Sequence, residues 1–457
     1  MNYGMKSIAL TLAALGAGTA IAAIPAEEAK QLEGALTPFG AIKAGNKSGT
    51  IPEYTGVPLT PPASFDPKNP GYLPDPFASD KPLFSIDAKN MAQHVDKLAE
   101  GVKAMLARHP GYHLNVYPSR RTMIYPKYAL DGSMANATNC KLENDNLTGC
   151  QAGVPFPIPR NGEEAIWNHL LAFYGVSSTY TLGSYVVDRS GRMTLMSWFR
   201  ASEDKPYWDS SNKGDGSAKL LSRVRYDTDE PARSAGERLL LISPIDQKEV
   251  APVYQYLPGQ RRVKLSPDLA YDTPNPSSGG VSAMDEVRGF YGKTDRFNWK
   301  LIGKKEMYIP YNAYKTLSPE CSEEKMHTKD FLNPACVRWE LHRVWHIEAT
   351  LKEGKRHIFS KRIMYIDEDS FGAGVYDGYD AAGNLYRTTQ QLPYYVYSDP
   401  KQGTGMFSQP FVTYDLQTGA YGSFNHVAFS RKGQVPVPGR VADREYTPGA
   451  LAGGGIR

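Results

Sequence analysis

From Ser177 onward, short runs of alternating apolar and polar residues are joined in pairs by turn-forming stretches, and this pattern constrains the fold more than any other feature of the chain. Residues 178–187 and 193–200 flank Asp188-Arg189-Ser190-Gly191, and residues 252–257 and 261–265 flank Pro258-Gly259-Gln260. Residues 338–351 and 356–366 flank Lys352-Glu353-Gly354-Lys355, and residues 374–379 and 385–391 flank Asp380-Ala381-Ala382-Gly383-Asn384. A period of two sends successive side chains to opposite faces of a strand, and Gly, Pro, Asn and Asp supply the backbone angles a tight reversal needs. The expectation is a mainly β fold of the α+β kind, with antiparallel hairpins in series. The 29 Tyr and 34 Pro agree, because Tyr suits half-buried strand faces and Pro interrupts helices.

Upstream, the apolar positions Met91, Val95, Leu98, Val102 and Met105 fall at steps of four and three, which predicts a helix over 86–108 with Asp87 as N-cap. A second helix is predicted after Asn161, where Asn161 and Glu164 have the spacing of a capping box. Both are expected to cover a sheet. Residues 51–82 hold nine prolines, which excludes helix and central strand. Tyr54, Phe65, Tyr72 and Phe77 within this extended arm predict that it docks on the body of the protein.

The first residues resemble a secretory leader: Lys6 precedes an apolar run to Ala23 that ends in small residues. Export into an oxidising compartment makes disulfides the natural reading of the four cysteines. Local pairing, Cys140 with Cys150 and Cys321 with Cys336, is the simplest of the three possible arrangements, and the spacing does not match a zinc site. No cofactor is expected.

One strand can be read face by face. Trp339, Leu341, Trp345 and Ile347 occupy one side of residues 339–351, while Glu340, His342, His346 and Glu348 occupy the other, so an oily face and a wet face are expected. A long twisted antiparallel sheet tends to curl, and helices laid across its concave side can leave a hollow. Trp339, Leu341, Trp345 and Ile347 are the leading candidates to line it, with Tyr254, Tyr256, Met196, Trp198 and Tyr308 as further ones.

Several stretches resemble a known family. They are Leu36-Thr37-Pro38, Asp75-Pro76-Phe77-Ala78, Pro155-Phe156-Pro157-Ile158-Pro159, Tyr256-Leu257-Pro258-Gly259-Gln260-Arg261-Arg262-Val263, Ala270-Tyr271-Asp272-Thr273-Pro274, Glu306-Met307-Tyr308-Ile309-Pro310 and Glu340-Leu341-His342-Arg343. Together they are similar to a Gram-negative family of unknown function labelled outer-membrane lipoprotein-sorting proteins, related to the LolA and LolB carriers. The resemblance implies a periplasmic, LolA-like open half-barrel of about eleven antiparallel strands wrapped around covering helices. It also implies lipid or acylated cargo, and partnership with an RND-type transporter and an outer-membrane protein. On this basis the chain divides into a leader at 1–23, a Pro-rich arm at 24–84, a lipid-binding half-barrel at 85–397, and a C-terminal extension and loose tail at 398–457.

The formal net charge of +4 is too small an excess for a nucleic-acid footprint, and at most transient contact with a membrane surface is expected. No nucleophile or phosphate-loop motif is present, so the expectation is a carrier without catalysis; an adaptor that binds only protein is the alternative. His342 and His346 lie too far apart on a straight strand to share one ion and are expected on a solvated face. Asp367-Glu368-Asp369 reads as an exposed turn, and Asp227-x-Asp229-Glu230 lacks the rest of a calcium loop. Arg120-Arg121 and Arg261-Arg262 are basic pairs suited to steering an acidic headgroup towards the rim of the hollow, with Arg261 and Arg262 the preferred pair.

Overall fold

The alternating segments form strands, and these strands join one large sheet. The computed structural model describes residues 24–267, 269–372, 374–397 and 405–453, so the expected leader lies outside the described residues. In chain order the sheet contains β1 (Phe84–Ile86), β2 (Leu114–Val116), β3 (Ser177–Val187), β4 (Met193–Asp204), β5 (Leu220–Glu230), β6 (Arg238–Pro244), β7 (Val253–Leu257) and β8 (Arg262–Leu265). It continues with β9 (Phe297–Pro310), β10 (Trp339–Leu351), β11 (Lys361–Asp367), β12 (Gly374–Tyr379), β13 (Leu385–Gln391), β14 (Phe411–Asp415), β15 (Tyr421–His426) and β16 (Gln434–Pro438). The spatial order is β1-β2-β10-β11-β12-β13-β14-β15-β3-β4-β5-β6-β7-β8, with β9 on β10 and β16 on β3. The pairings are antiparallel apart from a single parallel contact between β2 and β10. The sheet does not close on itself, and it has more strands than the eleven implied by resemblance.

The predicted hairpins appear as β3–β4, β7–β8, β10–β11 and β12–β13. The C-terminal residues depart from expectation. Strands β14 and β15 pair between β13 and β3 and so join the two halves of the sheet; residues 405–453 are not a loose tail. Both strands are short, and Gly422 interrupts the second, which leaves too little alternation for a sequence signal.

The predicted helix over 86–108 is two pieces. A tight 3-10 turn at Met91–Lys97 and helix α1 (Glu100–Arg108) are separated by Leu98 and Ala99, both extended and buried. Helix α2 (Lys127–Asn139) begins directly after Pro126. Helix α3 (Gly162–Leu170) starts where predicted: the Asn161 side chain accepts a hydrogen bond from the Glu164 amide at 2.9 Å, and the Glu164 carboxylate accepts one from the Arg160 amide at 2.7 Å.

Helices α1 and α3 pack on opposite faces of the sheet. The His169 ring of α3 lies 5.7 Å from that of Tyr376 in β12, while the Gly101 amide of α1 donates to the carboxylate of the next residue, Asp377, at 3.0 Å. Adjacent strand residues point to opposite sides, so the middle of the sheet is clad on both. All of β12 is consequently buried, as is β13 beyond its first two residues. The arm docks as expected: Tyr54 donates its hydroxyl hydrogen to the Met123 carbonyl at 2.9 Å, and Phe65 packs edge-on against Tyr397. Disulfides Cys140–Cys150 and Cys321–Cys336 adopt the local pairing.

Candidate functional site

Strand β10 does not divide into an oily and a wet face. Its first seven residues are all buried, polar and apolar alike. Trp339, Leu341, Trp345, Ile347 and Tyr308 join one continuous core with Ile166 and Trp167 of α3, and Trp339 and Ile347 are only 1% and 0% exposed. Helix α3 sits where the hollow was expected. A Cβ on Gly162 would come within 2.3 Å of the Trp299 backbone, so this helix lies against β9 with no space between them. The other expected lining residues lie apart from that group. Trp198 packs with Tyr185 and Ala428, and Met196 reaches towards Gly279. Tyr254 and Tyr256 belong to a separate small cluster on β6 and β7. Arg261 and Arg262 are exposed at the turn into β8.

Around Glu340 and His342 the polar side of β10 is a buried ionic network, which corrects the expectation of a solvated His342 and an exposed acidic turn, while His346 is half-buried near Glu348. Asp367, Glu368 and Asp369 are 0%, 2% and 1% exposed. Arg121 grips Asp369 with two parallel bonds of 2.8 and 2.7 Å, and Glu368 accepts from Lys304 at 2.7 Å. Arg121 is therefore not available to steer a headgroup, and its neighbour Arg120 is bound to Asp80 at 2.9 Å. His342 is stacked on Tyr311 and lies between two carboxylates, Nε2 at 3.1 Å from Glu340 and Nδ1 at 3.2 Å from Asp367. Burial alone would lower the basicity of His342, but Asp367 and Glu340 outweigh it and push its pKa up to about 9. Arg338 completes the set by bridging Glu340 and Asp80 at 2.5 and 2.8 Å.

His342, Asp367 and Asp369 bring potential metal-ligand atoms within 4.8 Å of one another. The donor set does not suit an ion. Both carboxylate oxygens of Asp369 are engaged by Arg121, and a protonated imidazole has no lone pair to offer. The arrangement instead ties the arm, β10 and the turn after β11 together through paired charges. The acidic run at 227–230 is similarly committed: Asp227 to Arg225 and Arg238, Asp229 to Arg200, and Glu230 to Arg431.

A second buried set lies under β4. Glu203 accepts hydrogen bonds from Tyr174 at 2.8 Å and Tyr180 at 3.2 Å, and the Lys205 ammonium lies over the Tyr174 ring. Burial holds the Lys205 amine down at about 7. A cleft of about 130 Å³ beside it is lined by Tyr174, Val176, Asp204 and Pro436. A larger polar cleft of about 350 Å³ lies between the Cys140–Cys150 hairpin and residues 214–219. A small, mostly apolar slot of about 50 Å³ runs between Leu170, Leu221, Pro244, Ala251 and Tyr291. None of these three clefts is lined by any of the nine residues expected to form the hollow.

The wing formed by β5 to β8 differs from the rest of the sheet. Many of its side chains are half-buried, and β8 is largely exposed. One of its faces carries Arg223, Arg225 and Arg238 beside Leu240, Ile242, Tyr254 and Tyr256, which the register aligns across the strands. Sequence reasoning found the two tyrosines and missed the arginines, although Arg223 and Arg225 alternate within one strand and so share a face.

Among the described residues, no helix is long and apolar enough to cross a membrane. The chain is 36% identical to an uncharacterized protein of Pseudomonas aeruginosa over 450 residues, 96% of this chain and 95% of that one. Its structure is similar to a crystal structure of a candidate outer membrane lipoprotein-sorting protein domain from Vibrio parahaemolyticus, at TM-score 0.42 and 13% identity, covering 64% of this chain and 98% of that one. It is also similar to a LolA superfamily protein from Nitrosomonas europaea, at TM-score 0.37 and 11% identity, covering 63% and 98%. The family described as protein of unknown function DUF1329 matches residues 85–452, past residue 397 where the half-barrel was expected to end. With the match spanning all but the first residue of the sheet and the Pseudomonas relative aligned nearly end to end, this chain belongs to the DUF1329 family.

Proposed function

We propose that the chain is a non-catalytic periplasmic binding and carrier protein for lipid or other hydrophobic cargo, exported by a cleaved leader and serving an RND-type transporter and an outer-membrane protein. The observation that carries this reading is the contrast within the sheet: its middle is clad on both faces and buried, whereas many side chains of the wing from β5 to β8 are only half-buried. Burying an acyl chain contributes about 0.8 kcal/mol per methylene, so a surface needs only length and apolarity to hold one. Tyr254 and Tyr256 are the proposed contacts on the wing, with Arg261 and Arg262 at its rim. The apolar slot of about 50 Å³ is far below the several hundred cubic ångströms of a typical ligand pocket, so cargo enters only when a cover moves. The two disulfides fit an oxidising compartment.

Native mass spectrometry of the gently purified full chain, with lipid extraction, tests the reading. Lipid in stoichiometric amount is expected; clean protein under several purification conditions would retire the carrier role. The adaptor reading has one observation in its favour. Leu83 and Phe84 at the β1 edge are 62% and 39% exposed, and Val95 nearby in sequence is 45% exposed, an apolar group suited to a protein partner.

A further inference from the structure

The last described residues cover one face of the wing. The turn at Asp443–Tyr446 and helix α4 (Pro448–Gly453) lie on β5 to β8, and Tyr446 and Leu451 form with Leu240 and Tyr256 an apolar cluster separate from the main core. Beside this cluster the segment meets the arginine row at three points. Arg223 donates to the Asp443 carboxylate and stacks on the Tyr446 ring at 4.5 Å. Arg225 donates to Glu445 at 2.9 Å, and Arg238 donates to the Leu451 carbonyl at 2.6 Å. The covering segment thus presents acid groups and a carbonyl to arginines, and an aromatic and an aliphatic side chain to apolar residues.

The sheet only partly neutralises the row. Arg223 pairs with Asp204, while Arg225 and Arg238 share Asp227, so three guanidinium groups face two carboxylates of the sheet. Lifting the cover would leave one positive charge in excess and the Nη1 atoms of Arg225 and Arg238 without these acceptors, next to bare Leu240 and Tyr256. The cover itself is lightly held. Asp443 and Glu445 are 71% and 40% exposed on their side chains, where ion pairs contribute little, and a six-residue helix has no stability of its own.

We infer that residues 441–453 are a displaceable cover over a binding face for an anionic amphiphile, an acyl chain with one acidic head. Asp443 and Glu445 occupy the place of the head, and Tyr446 and Leu451 that of the chain. The inference rests on the carrier reading and adds to it the site and the charge of the cargo. It accounts for an apolar binder whose mostly apolar slot, at about 50 Å³, is too small for such cargo: the protein holds its own segment on the face until cargo with a larger apolar surface replaces it.

The test uses the full chain and a fluorescent long-chain fatty acid, with the uncharged alcohol of the same length as control. Loosening the cover with Tyr446→Ser and Leu451→Asp together is expected to tighten fatty-acid binding at least tenfold, with a smaller gain for the alcohol. Adding Arg225→Gln and Arg238→Gln is expected to remove the gain specific to the acid. Circular dichroism checks that each variant is folded; should the double change unfold the chain, Leu451→Ser alone with the same probes decides. Equal fatty-acid affinity with the cover intact and loosened would overturn the inference while leaving the carrier reading in place. Failure of every variant to bind either probe would overturn both.

Discussion

Arg121 enters the core with its charge matched: both parallel bonds go to Asp369, with Glu368 at 3.6 Å behind. Removing one partner of a buried pair leaves the other charged and unsolvated, so Arg121→Ala or Asp369→Asn is expected to cost about 3–5 kcal/mol, measured by urea unfolding. His342 adds a pH dependence. Its folded pKa of about 9 lies above the ordinary value, so its contribution is complete below about pH 6.5 and is lost as pH rises through 9. Unfolding free energies of the wild-type chain should fall across that interval, and those of His342→Gln should fall less. Nothing within the strand announces this role. The alternation of 339–351 was legible, but polar residues at even positions suggested water because the actual partners of Glu340 and His342, the Arg120 amide, Asn312 and Asp367, are remote in sequence or beyond the next turn. Period reports which residues share a face; it does not report what covers that face.

At the scale of elements, the hairpins and the start of α3 were legible because their signals are local: a turn between two alternating runs, and a cap three residues before its partner. The same holds for the disulfides, which close short intervals. Helix α2 and strands β14 and β15 were not legible, since each depends on neighbours far away in the chain. Helix α3 shows how tightly such neighbours can constrain one position. Gly162 at its first turn meets the Trp299 backbone, and backbone cannot swing aside as a side chain can. Gly162→Ala is therefore expected to cost about 2–3 kcal/mol in chemical denaturation and to disturb the contact between α3 and β9. Exchange of Gly175, where no atom lies within 4 Å of an added Cβ, tests backbone preference alone, because its φ of +99° favours glycine whatever the space.

For the whole molecule, family membership and the open antiparallel sheet were within reach of the sequence, while the position of its unsealed part was not. The sequence motifs directed attention to β10, where tryptophans and aliphatic residues are densest, and these are the residues that the core consumes. The wing was named only through Tyr254 and Tyr256 and the basic turn beside them. Cladding on both sides of β12 and β13, and only a short covering segment on β7 and β8, has a consequence for how the protein breathes. Backbone amides in the middle strands should exchange their hydrogens for deuterium only through near-global opening, whereas those of β7 and β8 should exchange through cheap local fluctuations. The native state would then loosen from one flank inward, with the least protected peptide groups marking the flank that carries the proposed cargo face.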